Sequence, residues 1–120
     1  MAEHNELGKA GEELALAYLR KHEFEVLATN WRCGKDEIDI VCKKDEELII
    51  VEVKTRSSNY FGEPEVFVTR KKQGFLIRAA NAYIFKYDID LECRFDIISI
   101  LIVRSESKIS HIEDAFYPTL

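Results

Sequence analysis

Glu37-Ile38-Asp39-Ile40-Val41-Cys42, a polar turn around Lys44-Asp45-Glu46, and then Leu48-Ile49-Ile50-Val51-Glu52-Val53-Lys54 form the stretch on which the fold turns. Two apolar β-type runs joined by so short a turn predict an antiparallel hairpin, with strands over about 36–43 and 47–55. Each run carries a carboxylate where a core residue is expected. Lys54 follows Glu52 by two positions, which puts both on one face of the strand. Burying unpaired charge is costly, so something must compensate these groups, and a metal ion is the natural candidate.

Outward from the hairpin, residues 6–22 predict a helix with Leu14, Ala15, Leu16, Tyr18 and Leu19 on one apolar arc. Glu12 falls inside that arc and Glu13 outside it with Lys9 and Arg20. Taken alone, Glu12 is a first-turn carboxylate complementing the helix dipole. Phe24 to Asn30 predicts a short strand, and Trp31, Arg32, Cys33 and Gly34 predict a turn. After the hairpin, Ser57 to Pro64 mark a loop holding Tyr60 and Phe61, rings that either stack on bases beside Arg56 or pack on the core.

A second helix is expected over about 70–87, capped by Thr69, with an apolar stripe from Phe75 to Tyr87. Lys72 and, at its margin, Gln73 extend that stripe at the helix N-terminus, where free N–H groups suit phosphate. The plainer role for Lys72 is a stem over the core edge with its amine in water. Arg94 to Val103 predicts a long strand, and Ile109 to Phe116 a short strand or extended tail. The order helix, three strands, helix, one or two strands is an α/β sandwich in α+β arrangement: α-β-β-β-α-β(-β), a central mixed sheet flanked by helices.

The 120 residues predict a single domain over 1–120, and 47% hydrophobic with 32% charged residues is a globular composition. No apolar run approaches a membrane span, and the first residues lack a secretory signal, so a cytoplasmic protein with no membrane partner is expected. Cys33, Cys42 and Cys93 show no paired spacing, which fits a reducing compartment. A zinc site would need His4, His22 or His111 to join them, and buried free cysteine is the commoner outcome. The net charge of −5 argues mildly against a nucleic-acid partner. Its distribution argues otherwise, since Lys54 to Lys72 hold five basic residues against two acidic ones. A basic edge beside an acidic site suits an enzyme that binds a polyanion while holding a metal.

If Asp39 and Glu52 converge, their repulsion raises one pKa unless a hard divalent ion such as Mg²⁺ (or Mn²⁺) takes both. Such an ion polarises a phosphoryl group and lowers the pKa of a bound water, while Lys54 orients that water or neutralises developing charge. Glu12, reaching the metal directly or through water, completes the set. A Glu-x-Lys on a strand is, by itself, more often a surface pair. The conjunction with Asp39 and Glu12 carries the reading.

Gly8-x-x-Gly11-Glu12-x-x-Ala15, Asn30-Trp31-Arg32, Glu37-Ile38-Asp39, Val51-Glu52-Val53-Lys54-Thr55-Arg56, Phe61-Gly62-x-Pro64 and Arg94-Phe95-Asp96 resemble, in order and over nearly the whole chain, the bacterial YraN family. That family is similar to archaeal Holliday-junction resolvases and to the PD-(D/E)XK nucleases. The resemblance implies a restriction-endonuclease-like fold with a metal-dependent site. It implies Asp39 and Glu52 as metal ligands with Val53 in the metal set, Lys54 as catalytic lysine, and Glu12 as the helix-borne acid. Ile38 stands where the superfamily has proline, and Asp36 where relatives often have glycine, which alters the turn entering the strand.

The expectation is thus a Mg²⁺-dependent endonuclease acting on DNA, branched or otherwise structured. Glu12, Asp39, Glu52 and Lys54 are catalytic, Arg56, Lys72 and Gln73 hold phosphates, and Glu37 supports the ligands. The alternative is a non-catalytic nucleic-acid-binding or interaction module on the same core. Symmetric cleavage of two strands calls for a homodimer, with an exposed strand 95–103 as the expected interface.

Overall fold

The computed structural model describes residues 2–57 and 68–118, the side chains of 2–5 excepted. Among these, two helices and five strands follow the order α1 (Ala2–Lys21), β1 (Glu25–Cys33), β2 (Asp36–Lys44), β3 (Glu47–Arg56), α2 (Arg70–Tyr87), β4 (Glu92–Val103) and β5 (Glu106–Phe116). The strands form one mixed sheet in the order β1-β2-β3-β4-β5. Only β3 and β4 are parallel, joined through α2. This is the expected α+β arrangement. The expected loop with Tyr60 and Phe61 lies outside the described residues.

Each helix covers one face of the sheet. On one side Ala15 and Leu19 of α1 pack on Ile40, Cys42, Ile49, Val51, Ile98 and Ile100. On the other, Leu76, Ala79, Ala80 and Tyr83 of α2 pack on Ile38, Val41, Leu48, Ile50, Phe95 and Ile97. β3 and β4 are therefore buried on both faces, which is why they read as nearly unbroken apolar runs. Full burial of a side chain such as Leu19 or Leu76 contributes about 1.5–3 kcal/mol.

The structure departs from expectation in β1, in β5 and in the exposure of β4. β1 continues through Trp31 to Cys33, because the turn is only Gly34-Lys35 and Trp31 packs edge-on against Tyr83 of α2 with ring centroids 5.2 Å apart. Gly34 has φ +61°, a turn conformation that glycine adopts without steric cost. β5 is a full strand of 11 residues rather than a short one, joined to β4 at the Arg104-Ser105 turn. It is one edge of the sheet, and its Glu106, Lys108 and Glu113 replace the apolar alternation of an interior strand. β4 is hydrogen-bonded to β3 on one side and β5 on the other, so residues 95–103 cannot offer the exposed edge expected of a dimer interface.

One buried charged network ties this half of the molecule together. Asp96 on β4 accepts two hydrogen bonds from Arg94, at 2.9 Å each, one from His111 Nε2 at 2.7 Å and one from the Asp114 amide at 3.0 Å. An ionised Asp96 can only accept, so His111 donates to it through Nε2, and the other ring nitrogen, Nδ1, is hydrogen-bonded with the Tyr18 hydroxyl at 2.9 Å. Arg94 also reaches Glu47. The network links α1, β3, β4 and β5.

Candidate functional site

The antiparallel register of β2 and β3 runs from Lys44↔Glu47 to Ile40↔Val51 and ends there. Its next pair would be Asp39 and Glu52. Beyond that point the front half of β2 pairs only with β1, while the far half of β3 stays paired with β4. The sheet is split, and the two carboxylates sit at the apex. Asp39 Oδ2 accepts from the Val53 amide at 2.8 Å, replacing the bond that a strand partner would have made. The alternation of β2 breaks at the same residue, with Ile38 in the α2-side core and Ile40 in the α1-side core.

On the α2 side of the apex, Glu52 is 4% exposed. Lys54 Nζ and Lys72 Nζ lie 3.9 and 3.6 Å from its Oε2, too far for strong charge-assisted hydrogen bonds. Burial, followed by the neighbouring Asp39 carboxylate, pushes the Glu52 carboxyl up to about 8, against the opposing pull of Lys72 and Lys54. At neutral pH the pair therefore holds a proton where a cation would serve. Lys72 arrives here because Thr69 caps α2, its Oγ1 accepting from the Lys72 amide at 3.2 Å.

On the α1 side, Glu12, Asn30, Glu37, Asp39, Val53 and Thr55 line an open cavity of about 530 Å³. Glu12 is delivered by a close approach of helix to strand: a Cβ on Gly11 would lie 1.8 Å from Thr55 Oγ1. The helix accepts glycine's propensity cost of about 1 kcal/mol for that contact. Glu12 Oε1 accepts from Asn30 Nδ2 at 2.7 Å. Burial raises the Glu12 carboxyl above its ordinary value, with Asp39 and Glu37 adding to the rise and Asn30 opposing it. Asn30 stands at φ +49°, a left-handed conformation that asparagine tolerates. Glu37 pairs with Arg32 at 2.8 Å on the rim.

Asp39 thus joins two half-sites: an acidic one with Glu12 and Glu37, and a lysine one with Glu52, Lys54 and Lys72. Val53 lies between them. Its N–H points toward β2, and strand geometry turns its carbonyl to the same edge, making that oxygen the donor it could add. Arg56 continues the face of Glu52 and Lys54 two residues on. Gln73 is placed apart, its Nε2 donating to the Val68 carbonyl at 3.1 Å and its side chain lining a different cavity. Asp36, the departure at the turn, receives a two-point grip from Arg78 at 2.6 and 2.8 Å that fixes the start of β2 to α2.

The donor set suits a hard divalent ion. Two carboxylates meet, one kept from ionising at neutral pH by burial and the other's charge. Magnesium needs only one or two carboxylates, filling its other positions with water and phosphate oxygens. Among the described residues, no three His, Cys, Asp or Glu side chains close into a ready-made cluster. Sequence reasoning gave no role to Asn30, Thr55 or the Asp96 network. The signal for Gly11 and Asn30 was present in two of the quoted motifs, as residues of poor helix and strand propensity inside those elements.

Split mixed sheet, buried carboxylate pair and adjoining lysines define an α+β protein with a charged cleft at the junction of β2 and β3. Residues 11–100 match the uncharacterised protein family UPF0102. The chain belongs to that family, the YraN family. It is 53% identical to a UPF0102 protein of Flavobacterium psychrophilum over 117 residues, covering 98% of each chain. It is also 51% identical to one of Bacteroides thetaiotaomicron over 120 residues, covering 100% of this chain and 99% of the relative. A UPF0102 protein of Christiangramia forsetii is 51% identical over 117 residues, 98% of each chain.

Proposed function

We propose that this protein is a Mg²⁺- or Mn²⁺-dependent endonuclease that hydrolyses DNA phosphodiester bonds, on branched or structured DNA. The observation that carries the reading is the Asp39–Glu52 pair at the sheet split, with Glu52 held up to about 8 beside two lysines. Perturbed carboxylates in a cleft mark functional sites, because a purely structural pair would be relieved by a partner. Asp39, Glu52 and the Val53 carbonyl would hold the ion. When bound, it supplies charge to the phosphoryl oxygens and acidity to water. Lys54 orients the attacking water and offsets charge developing on the phosphoryl group. Lys72 and Arg56 position the phosphate, and Glu12 accepts hydrogen bonds from water on the opposite side of Asp39. Glu37, paired with Arg32, steadies the acidic wall.

The three free cysteines suit a reducing compartment such as the cytoplasm. A homodimer supplying two sites would use surfaces other than β4.

A second reading, a non-catalytic nucleic-acid-binding or interaction module on the same core, is favoured by the small size of the chain and its net charge of −5. One experiment separates the two. Linear, flapped and four-way DNA are incubated with the protein in Mg²⁺ and, for binding alone, in Ca²⁺. The nuclease reading expects nicking in Mg²⁺ that Asp39→Ala and Lys54→Ala each reduce by about a thousandfold or more while circular dichroism is unchanged. Binding in both ions with no cleavage of any substrate establishes the module. Undiminished cleavage by both variants sinks the site assignment.

A further inference from the structure

The first turns of α2 present two faces. Lys72 turns to Glu52. Arg70, Gln73, Gly74 and Ile77 follow the spacing of a second face, and with Phe116 and Tyr117 they line an open cavity of about 470 Å³. Phe116 is its buried wall, stacked on Phe95 with centroids 4.9 Å apart and planes at 24°. Nothing approaches within 4 Å of where a Cβ on Gly74 would stand, so the helix side is open. Tyr117 is 65% exposed, yet its hydroxyl donates to Asp114 Oδ2 at 2.9 Å. A tethered ring with its face in water has already lost much of the rotamer freedom that stacking would cost.

The chemistry of the rim selects the occupant. Arg70 is the charged residue lining the cavity, and the first turn of α2 holds no acidic residue, so charge and helix dipole both favour an anion. An anion carrying a flat apolar face answers both the arginine and the ring. That is a nucleotide.

We propose that this cavity is a stacking subsite for an unpaired nucleotide of DNA, its base on Tyr117 and its phosphate at Arg70. The same strand continues over the turn of α2 to the phosphate position at Lys72, Lys54 and Glu52. The inference rests on the nuclease reading and deepens it: the substrate carries a single-stranded segment beside the scissile bond. A blunt duplex keeps its bases stacked on one another and offers nothing to Tyr117.

The test is fluorescence anisotropy in Ca²⁺ with a labelled single-stranded oligodeoxynucleotide, its blunt duplex and a flapped duplex. Tyr117→Ala should weaken binding of the single strand and the flap by on the order of tenfold, leaving the blunt duplex unchanged. Tyr117→Phe, which loses only the tether to Asp114, should retain most of the affinity. Tyr117→Trp should bind as wild type and show indole quenching by the single strand beyond that of the wild-type protein. Equal single-strand binding by wild type and Tyr117→Ala overturns the subsite, as does an equal loss on the blunt duplex. The two readings fail separately. Tyr117-dependent binding without cleavage in Mg²⁺ removes the nuclease but keeps the subsite. Wild-type cleavage of flapped DNA by Tyr117→Ala removes the subsite and keeps the nuclease.

Discussion

Asp96 and Glu52 sit on adjacent parallel strands, 1% and 4% exposed, and their surroundings treat them in opposite ways. Burial works against the ionised form of both. At Asp96 the His111 and Arg94 hydrogen bonds and the Asp114 amide outweigh it, and the carboxyl falls below its ordinary value. At Glu52 the lysines stand too far off, Asp39 adds its own charge, and the carboxyl rises to about 8. The difference is one of satisfaction, not of depth. A buried carboxylate with all its acceptor sites filled is a structural pin, whereas one left short is a candidate for binding a ligand.

The comparison breaks most visibly at the pin. Asp96→Ala strands Arg94 and His111 without their partner, and denaturant unfolding should show a loss of about 3–5 kcal/mol. A loss under about 1 kcal/mol would mean that the network is ornamental rather than holding β4 to β5 and α1.

Glu52→Gln should act in the other direction. Between the ordinary 4.5 and about 8, the folded chain holds a proton on Glu52 that the unfolded chain has released. Stability therefore falls as pH rises through that window, and the penalty is complete above about 8. In EDTA, Glu52→Gln should flatten this slope and gain on the order of a few kcal/mol at its alkaline end. Asp96 marks the opposite end of the profile. Its contribution is present above the ordinary 3.8 and is lost as pH falls through its lowered value. Melting curves for both variants across pH check the two windows; a slope that survives Glu52→Gln assigns the alkaline loss elsewhere.

Smaller effects test how the half-sites are held. Gly11→Ala pushes a methyl into Thr55 and should cost about 1–3 kcal/mol while displacing Glu12. Thr55→Ala should not rescue it, because the Thr55 Cβ itself is only 2.7 Å from the added group, whereas Thr55→Gly should. Tyr18→Phe removes the last hydrogen bond of the Asp96 network and should cost about 1 kcal/mol by thermal unfolding.

The legibility of the chain follows the same division. The hairpin, α2 with its Thr69 cap, and the interior strands were open to reading because two-faced burial writes continuous apolar runs and a cap is a local hydrogen bond. β5 runs longer than its sequence indicates because an edge strand has no such run to show. At the site, Asp39, Glu52 and Lys54 were visible as charge within apolar strands. The end of the β2–β3 register at Ile40↔Val51 was not, since no residue in the hairpin announces it. The pin was equally hidden: Tyr18 and His111 are 93 residues apart, and only folding brings a tyrosine, a histidine and an aspartate into line.

The split at β2 and β3 leaves the molecule with an internal reporter. The Val53 amide answers to the Asp39 carboxylate rather than to the backbone carbonyl of a neighbouring strand. Whatever draws charge from that oxygen must lengthen the bond to the amide. The proton resonance and exchange rate of this one peptide group would then register occupancy of the whole cleft, with no label added and no reaction required.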